Sequence, residues 1–299
     1  MKRTILLLTF AVLALCVSAQ KRDKAVVKLE KQLVGKFVEI PATHYSIFIE
    51  DENGKKQSSK EITTAGFYML ETEVSYASYE AFLEDLKAQG RMEDYEKASI
   101  QDTALDKINQ KYKDWGAPDL SKYPVANISY EGALLFCQWL TEKVGDPAWE
   151  YTLPSKVQWQ VAAQGGNFLA SYSDGAPGYG PKEYTYFQIR DKYLTKKEDG
   201  YHTVLFQEPQ PYQIQYVNLS KPEELQVVVR PSTTPVVSYD KNPFGLYNMC
   251  GNVAEMVYGG NIALGGSWAD PGYDIRIQSE KTFTEPSPMV GFRVIAVRK

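Results

Sequence analysis

The sequence predicts an α+β, loop-rich fold with short antiparallel sheets and a few helices, and three observations carry that expectation. Apolar residues recur at helical spacing behind serine caps; apolar and polar residues alternate around turn-forming residues; and two stretches, NPFGLYNMCGNVAEM (242–256) and LGGSW (264–268), are crowded with glycine and asparagine. Stretches so rich in turn formers read as irregular chain packed into a core, not as helix. Asn248, Asn252 and Glu255 put side-chain oxygens beside those turns. A carboxylate among free backbone carbonyls is the raw material of a calcium site, and polar groups at the same spacing equally serve to satisfy buried backbone.

Residues 1–19 read as an export signal: Lys2 and Arg3 precede an apolar run at 5–15, and Val17-Ser18-Ala19 offers small residues before Gln20. LALC (13–16) also resembles a bacterial lipobox, which would place a lipid anchor on Cys16, but Leu15 is large for the position before that cysteine and favours cleavage after Ala19. The expectation is an exported protein, periplasmic or associated with the outer membrane, with no transmembrane span. Residues 20–36 are charged and read as a linker or a short helix, and 37–299 as one domain with insertions at about 91–118 and 167–237.

Alternation over 37–50, the turn residues Asp51-Glu52-Asn53-Gly54 and the polar run to Thr63 predict a β-hairpin. Ser75 caps a helix over 76–89 with Tyr79, Phe82, Leu83 and Leu86 on one face, and helical periodicity appears again around Leu105 and Ile108. Ser129 caps a second strong helix through Ala133, Leu134, Cys137, Trp139 and Leu140, and Leu153-Pro154-Ser155 opens a third with Trp159 and Ala162 inward. In 167–237, aromatic and proline-spaced loops precede LQVVV (225–229), which reads as a strand.

Apolar residues make up 43% of the 299 and aromatic residues 13%, enough to fill one large core. A net charge of −4 with mixed signs and no basic stripe argues against nucleic acid as a partner.

The 242–256 run resembles the G-L-x-D-M-x-G-N-V-W-E-W signature of the sulfatase-modifying factor family, whose formylglycine-generating enzyme fold is a variant of the C-type lectin fold. Further segments resemble the family's landmarks in the same order: FVEIP (37–41), GFYMLETEVSYASYEAFL (66–83), YPVANISYEGALLFCQWL (123–140), YTLPSKVQWQVAAQGG (151–166) and VGFRVI (290–295), the last as one closing strand. The charged segment at 91–118 resembles the insert in gliding-motility and type IX secretion lipoproteins that carry this fold.

The resemblance implies an oxidase that holds copper on two cysteines shortly after G-G-S-[WYF]. Here that segment is WADPGYDIRIQSEKTF (268–283), without cysteine, so no copper is expected: monovalent copper needs soft thiolates. Cys137 reads as a small core residue, and a disulfide to Cys250 is left open. His44 and His202, the two histidines, are far apart and form neither an iron-binding pattern nor a nucleophile system. The resemblance also implies calcium on the backbone carbonyls of Cys250, Gly251 and Val253 and the carboxylate of Glu255; Ala254 and Met256 replace the family's tryptophans there. Asp270, Asp274 and Arg276, with Glu280 and Arg293, are candidates for lining the family's substrate cleft, Arg293 alternatively serving as a structural ion-pair residue. Without the copper thiols, the expected role is a non-catalytic envelope module that binds a protein or glycan through loops 167–237; the alternative is a cysteine-independent enzyme of the same superfamily.

Overall fold

The computed structural model describes residues 22–50, 56–101, 120–167, 170, 173, 233–238, 240–268, 270 and 274–299. The export signal, the turn at 51–54, the periodicity around Leu105 and Ile108, the strand at 225–229 and most of the second insertion lie outside the described residues.

In chain order the elements are α1 (Lys24–Leu33), β1 (Phe37–Ile40), β2 (Thr43–Glu50), β3 (Lys56–Thr64), β4 (Phe67–Leu70), α2 (Tyr76–Ala88) and α3 (Met92–Ala98). There follow a 3₁₀ turn (Leu120–Lys122), α4 (Tyr130–Val144), β5 (Trp149–Thr152), α5 (Lys156–Gln164), β6 (Ala254–Met256), β7 (Ile262–Leu264), β8 (Glu280–Thr282), β9 (Val290–Phe292) and β10 (Ile295–Arg298). The three expected serine caps are in place. Ser75, Ser129 and Ser155 accept from the backbone N–H groups of Ser78, Gly132 and Gln158, and Gln158 answers Ser155 to complete a capping box.

The main sheet has the order β1-β4-β10-β5 and is antiparallel throughout. Its alternation separates two cores: Tyr68, Leu70, Tyr151 and Ala296 face one, while Phe67, Met69 and Ile295 face the other. The first core is aromatic, with Tyr79 stacked on Phe136 at 5.6 Å and Phe82, Trp139 and Phe292 packed edge-on or tilted around them. These rings come from the apolar stripes of α2 and α4 and from β9. A second sheet runs β8-β7-β6-β9, its β6–β9 pair parallel, and β2 and β3 form the separate hairpin.

Of the two readings of the charged stretch 20–36, the short helix holds: Lys24–Leu33 form α1, and its buried Glu30 packs it on the domain. The closing VGFRVI segment differs from expectation and is not one strand. It divides at Arg293 and Val294, with β9 entering the second sheet and β10 the main one, so the crossover carries Arg293 through the interior between them.

Candidate functional site

The 240–268 stretch is irregular chain except for β6 and β7, and its asparagines do the turning. Asn242 accepts from the backbone N–H groups of Phe244 and Leu246 at 3.0 and 3.1 Å and donates to the Ala162 carbonyl at 2.8 Å, tying the loop to α5. Asn248 and Asn252 hold left-handed backbone at φ 52° and 62°, a conformation asparagine tolerates better than most residues. Gly265 and Gly266 also have positive φ, and a Cβ on either would lie under 3.0 Å from backbone: the Met249 carbonyl for Gly265, the Asp274 carbonyl for Gly266. LGGSW therefore presses directly against the signature loop, and the Gly251 N–H donates to the Gly265 carbonyl at 2.7 Å.

At the centre lies a sealed polar cluster. Glu255 and Arg293 are both fully buried; Arg293 Nη2 donates to Glu255 Oε1 at 2.7 Å and its Nε reaches both carboxylate oxygens at 3.1 and 3.0 Å. The Trp159 indole donates to Glu255 Oε2 at 2.7 Å. Arg293 also donates to the Leu70 carbonyl at 3.0 Å and the Tyr247 carbonyl at 2.7 Å, so one side chain joins β4, the signature loop and β6. Burial opposes its charge, but Glu255, Glu73 and Glu71 outweigh that and hold the guanidinium above its ordinary value.

Glu73 completes the cluster. It accepts from Asn252 at 2.8 Å and from Asn248 at 3.2 Å, and those two amides also grip the chain where the second insertion returns, at the carbonyls of Thr234 and Val236. Burial pushes the Glu73 carboxyl up to about 8, with Arg293 opposing and Glu255 adding to the rise. Sequence reasoning assigned Glu73 no role; an acid inside the apolar run FYMLETEV was the available signal.

Among the cleft candidates, the structure separates Arg293 from the others. It lines no surface: it is the buried partner of Glu255, because the β9–β10 crossover carries it inward. Asp270, Asp274 and Arg276 share one partly open neighbourhood. Asp270 accepts from the Ser267 N–H and hydroxyl at 2.7 and 2.5 Å and pairs with Lys281 at 3.0 Å. Burial and then Asp270 raise the Asp274 carboxyl, while Arg276 and Lys281 pull it down. Glu280 pairs instead with Lys156 of α5.

Of the residues nominated for calcium, Cys250, Gly251, Val253 and Glu255 are all buried, and both Glu255 oxygens already serve Arg293 and Trp159. Asn248 Oδ1, beside them in the loop, is buried without a protein hydrogen-bond partner. Cys137 and Cys250 are unpaired and lie in different cores. Burial pushes the Cys250 thiol up to about 12 even though the Ser173 N–H points at it, and burial alone raises Cys137.

The profile of the sulfatase-modifying factor enzyme 1-like domain matches residues 23–298. The chain belongs to that family. Within this sulfatase-modifying factor family, the formylglycine-generating enzymes of Mus musculus and Bos taurus are 21% and 20% identical to it over 285 residues, 86% of this chain. The chain spans 63% of their length. A serine/threonine-protein kinase pkn1 of Chlamydia pneumoniae is 24% identical over 46% of this chain and 14% of its own. Among solved structures, Treponema denticola variable protein 1 aligns with a TM-score of 0.52 at 16% identity, covering 88% of this chain and 95% of its own. PvdO from Pseudomonas aeruginosa aligns with a TM-score of 0.51 at 19% identity, covering 88% and 94%. At these identities the structural likeness establishes the fold.

Proposed function

We propose that this family member is a non-catalytic module of the bacterial cell envelope that binds a protein or a glycan through loops 167–237, with a place in a gliding or type IX secretion apparatus as its most specific form. The supporting observation is the fate of the thiols. The segment after Gly265-Gly266-Ser267-Trp268 has no cysteine, and Cys137 and Cys250 are buried apart with thiols held protonated, so among the described residues no pair of thiolates is placed to hold monovalent copper. Export, by the signal at 1–19, belongs to the same proposal; among the described residues no helix is long and apolar enough to cross a membrane.

The test is a competition titration of the purified protein with copper(I), together with incubation of a cysteine-containing peptide under oxygen. The expected outcome is neither a stoichiometric complex nor a change in peptide mass; either one overturns the non-catalytic reading. Capture from envelope extracts should return one dominant partner, lost on deletion of the loops.

A cysteine-independent enzyme is the second reading, favoured by the partly open group of Asp270, Asp274, Arg276 and Lys281, where one carboxylate is raised beside two cations. Under that reading, a small molecule shifts the melting temperature of the wild type and not of Asp274→Asn. Calcium is proposed on the 250–255 loop. Its support is the unpartnered Asn248 Oδ1 beside backbone carbonyls; Glu255 contributes a ligand oxygen only by loosening Arg293 or Trp159. Melting with calcium and with chelator decides it.

A further inference from the structure

Four aromatic rings on one face of the main sheet surround a single cation. Phe37 of β1, Tyr68 of β4, and Trp149 and Tyr151 of β5 stand around the Arg22 guanidinium, whose carbon lies 5.2, 4.7, 5.2 and 5.9 Å from their ring centres. The rings brace one another edge-on, Phe37 against Tyr151 at 5.6 Å and Tyr68 against Trp149 at 5.5 Å. Register explains the opening between them: on β10 the residue paired with both Tyr68 and Tyr151 is Ala296, whose methyl leaves the floor low. One wall is acidic. Glu30 of α1, buried, pairs with Arg22 and accepts from the Tyr151 hydroxyl, which in turn accepts from Arg22 at 2.9 Å. Arg22 Nε is enclosed without a hydrogen-bond partner, so π-faces rather than a full set of acceptors hold this group.

We propose that this aromatic box is a guanidinium-binding site, filled in cis by Arg22 of the segment preceding α1, and able to take the side chain of a free arginine when Arg22 is removed. A planar, weakly hydrated cation suits stacked π-faces better than a compact ammonium. Residues 22–33 are thereby fastened to the sheet through a ligand-like contact. This inference is independent of the envelope reading.

The experiment uses the full chain with Arg22→Ala and two probes of matched size, N-acetylarginine amide and its neutral counterpart N-acetylcitrulline amide. The arginine probe should raise the melting temperature of Arg22→Ala by about 3–5 °C at roughly tenfold its Kd, with no effect of the citrulline probe and no effect of either on the wild type. Arg22→Ala combined with Trp149→Leu should lose the response. Equal responses to both probes, or none, overturn the proposal. Should the alanine variant fail to fold, Arg22→Lys replaces it, since the arginine probe then displaces a weaker occupant. On the wild type, phenylglyoxal should spare Arg22 and modify the exposed Arg276 and Arg298; modification of Arg22 at the rate of Arg298 also overturns it.

Discussion

Glu255 and Asp270 are both carboxylates held by a cation and by further hydrogen-bond donors, yet they belong to different worlds. Glu255 meets Arg293 and Trp159 where no water reaches, and the same arginine ties down two backbone carbonyls from separate parts of the chain. Asp270 meets Ser267 and Lys281 at a partly open surface, within three residues of the serine it holds. In the interior, losing one partner strands a charge that nothing else can solvate; at the surface, water and salt take its place. The contrast also sorts chemistry: the sealed pair joins sheets, whereas the open group has side chains within reach of a ligand.

That contrast breaks most readily at the guanidinium. Arg293→Ala should cost about 3–5 kcal/mol in denaturant unfolding, because the Glu255 carboxylate remains buried without its cation; a loss below about 1 kcal/mol would place water in the cluster. The pH dependence of stability sharpens it next. Glu73 keeps its proton up to about 8 in the folded chain but releases it near its ordinary value of about 4.3 when unfolded. Between those values the folded state binds the extra proton, so this contribution is full below the unfolded value and disappears as pH climbs through about 8. Glu73→Gln should flatten that decline, and an unchanged slope between about pH 5 and 8 would contradict the assignment.

A smaller effect is expected from Trp159→Phe, which keeps the ring packing and removes the indole donor to Glu255: about 1–3 kcal/mol, read from the shift in urea midpoint. Least of all, Asp270→Asn should change stability by under about 1 kcal/mol, and raising salt should erase most of the difference. If Asp270→Asn proved as damaging as Arg293→Ala, the two regions would not differ as described.

Much of the fold was legible because its signals are local. Serine caps before apolar stripes placed α2, α4 and α5, and turn residues placed the irregular 242–256 loop, since capping and left-handed backbone depend on a few neighbouring atoms. The site was legible only in part. Asn248, Asn252 and Glu255 stood out together, but Glu73, 175 positions from Asn248 along the chain, did not, and neither did the Trp159 indole as the donor to Glu255. Lys281 carried no role in the sequence reading, and its pairing with Asp270 exists only in the folded chain. VGFRVI read as one closing strand through its resemblance to the family's G-F-R segment, and the choice between two sheets divides it at Arg293.

The amino-acid order alone settled the family, the helix starts, the turn-rich loop and the absence of cysteine from 268–283, each being a matter of residue type at fixed spacing. Which acid faces which arginine, how far the two cysteines stand apart, and that Arg22 rests among four rings were decided by folding. Those contacts join residues separated by tens to hundreds of positions, and their strength comes from the exclusion of water, which exists only once the sheets and loops have closed over them.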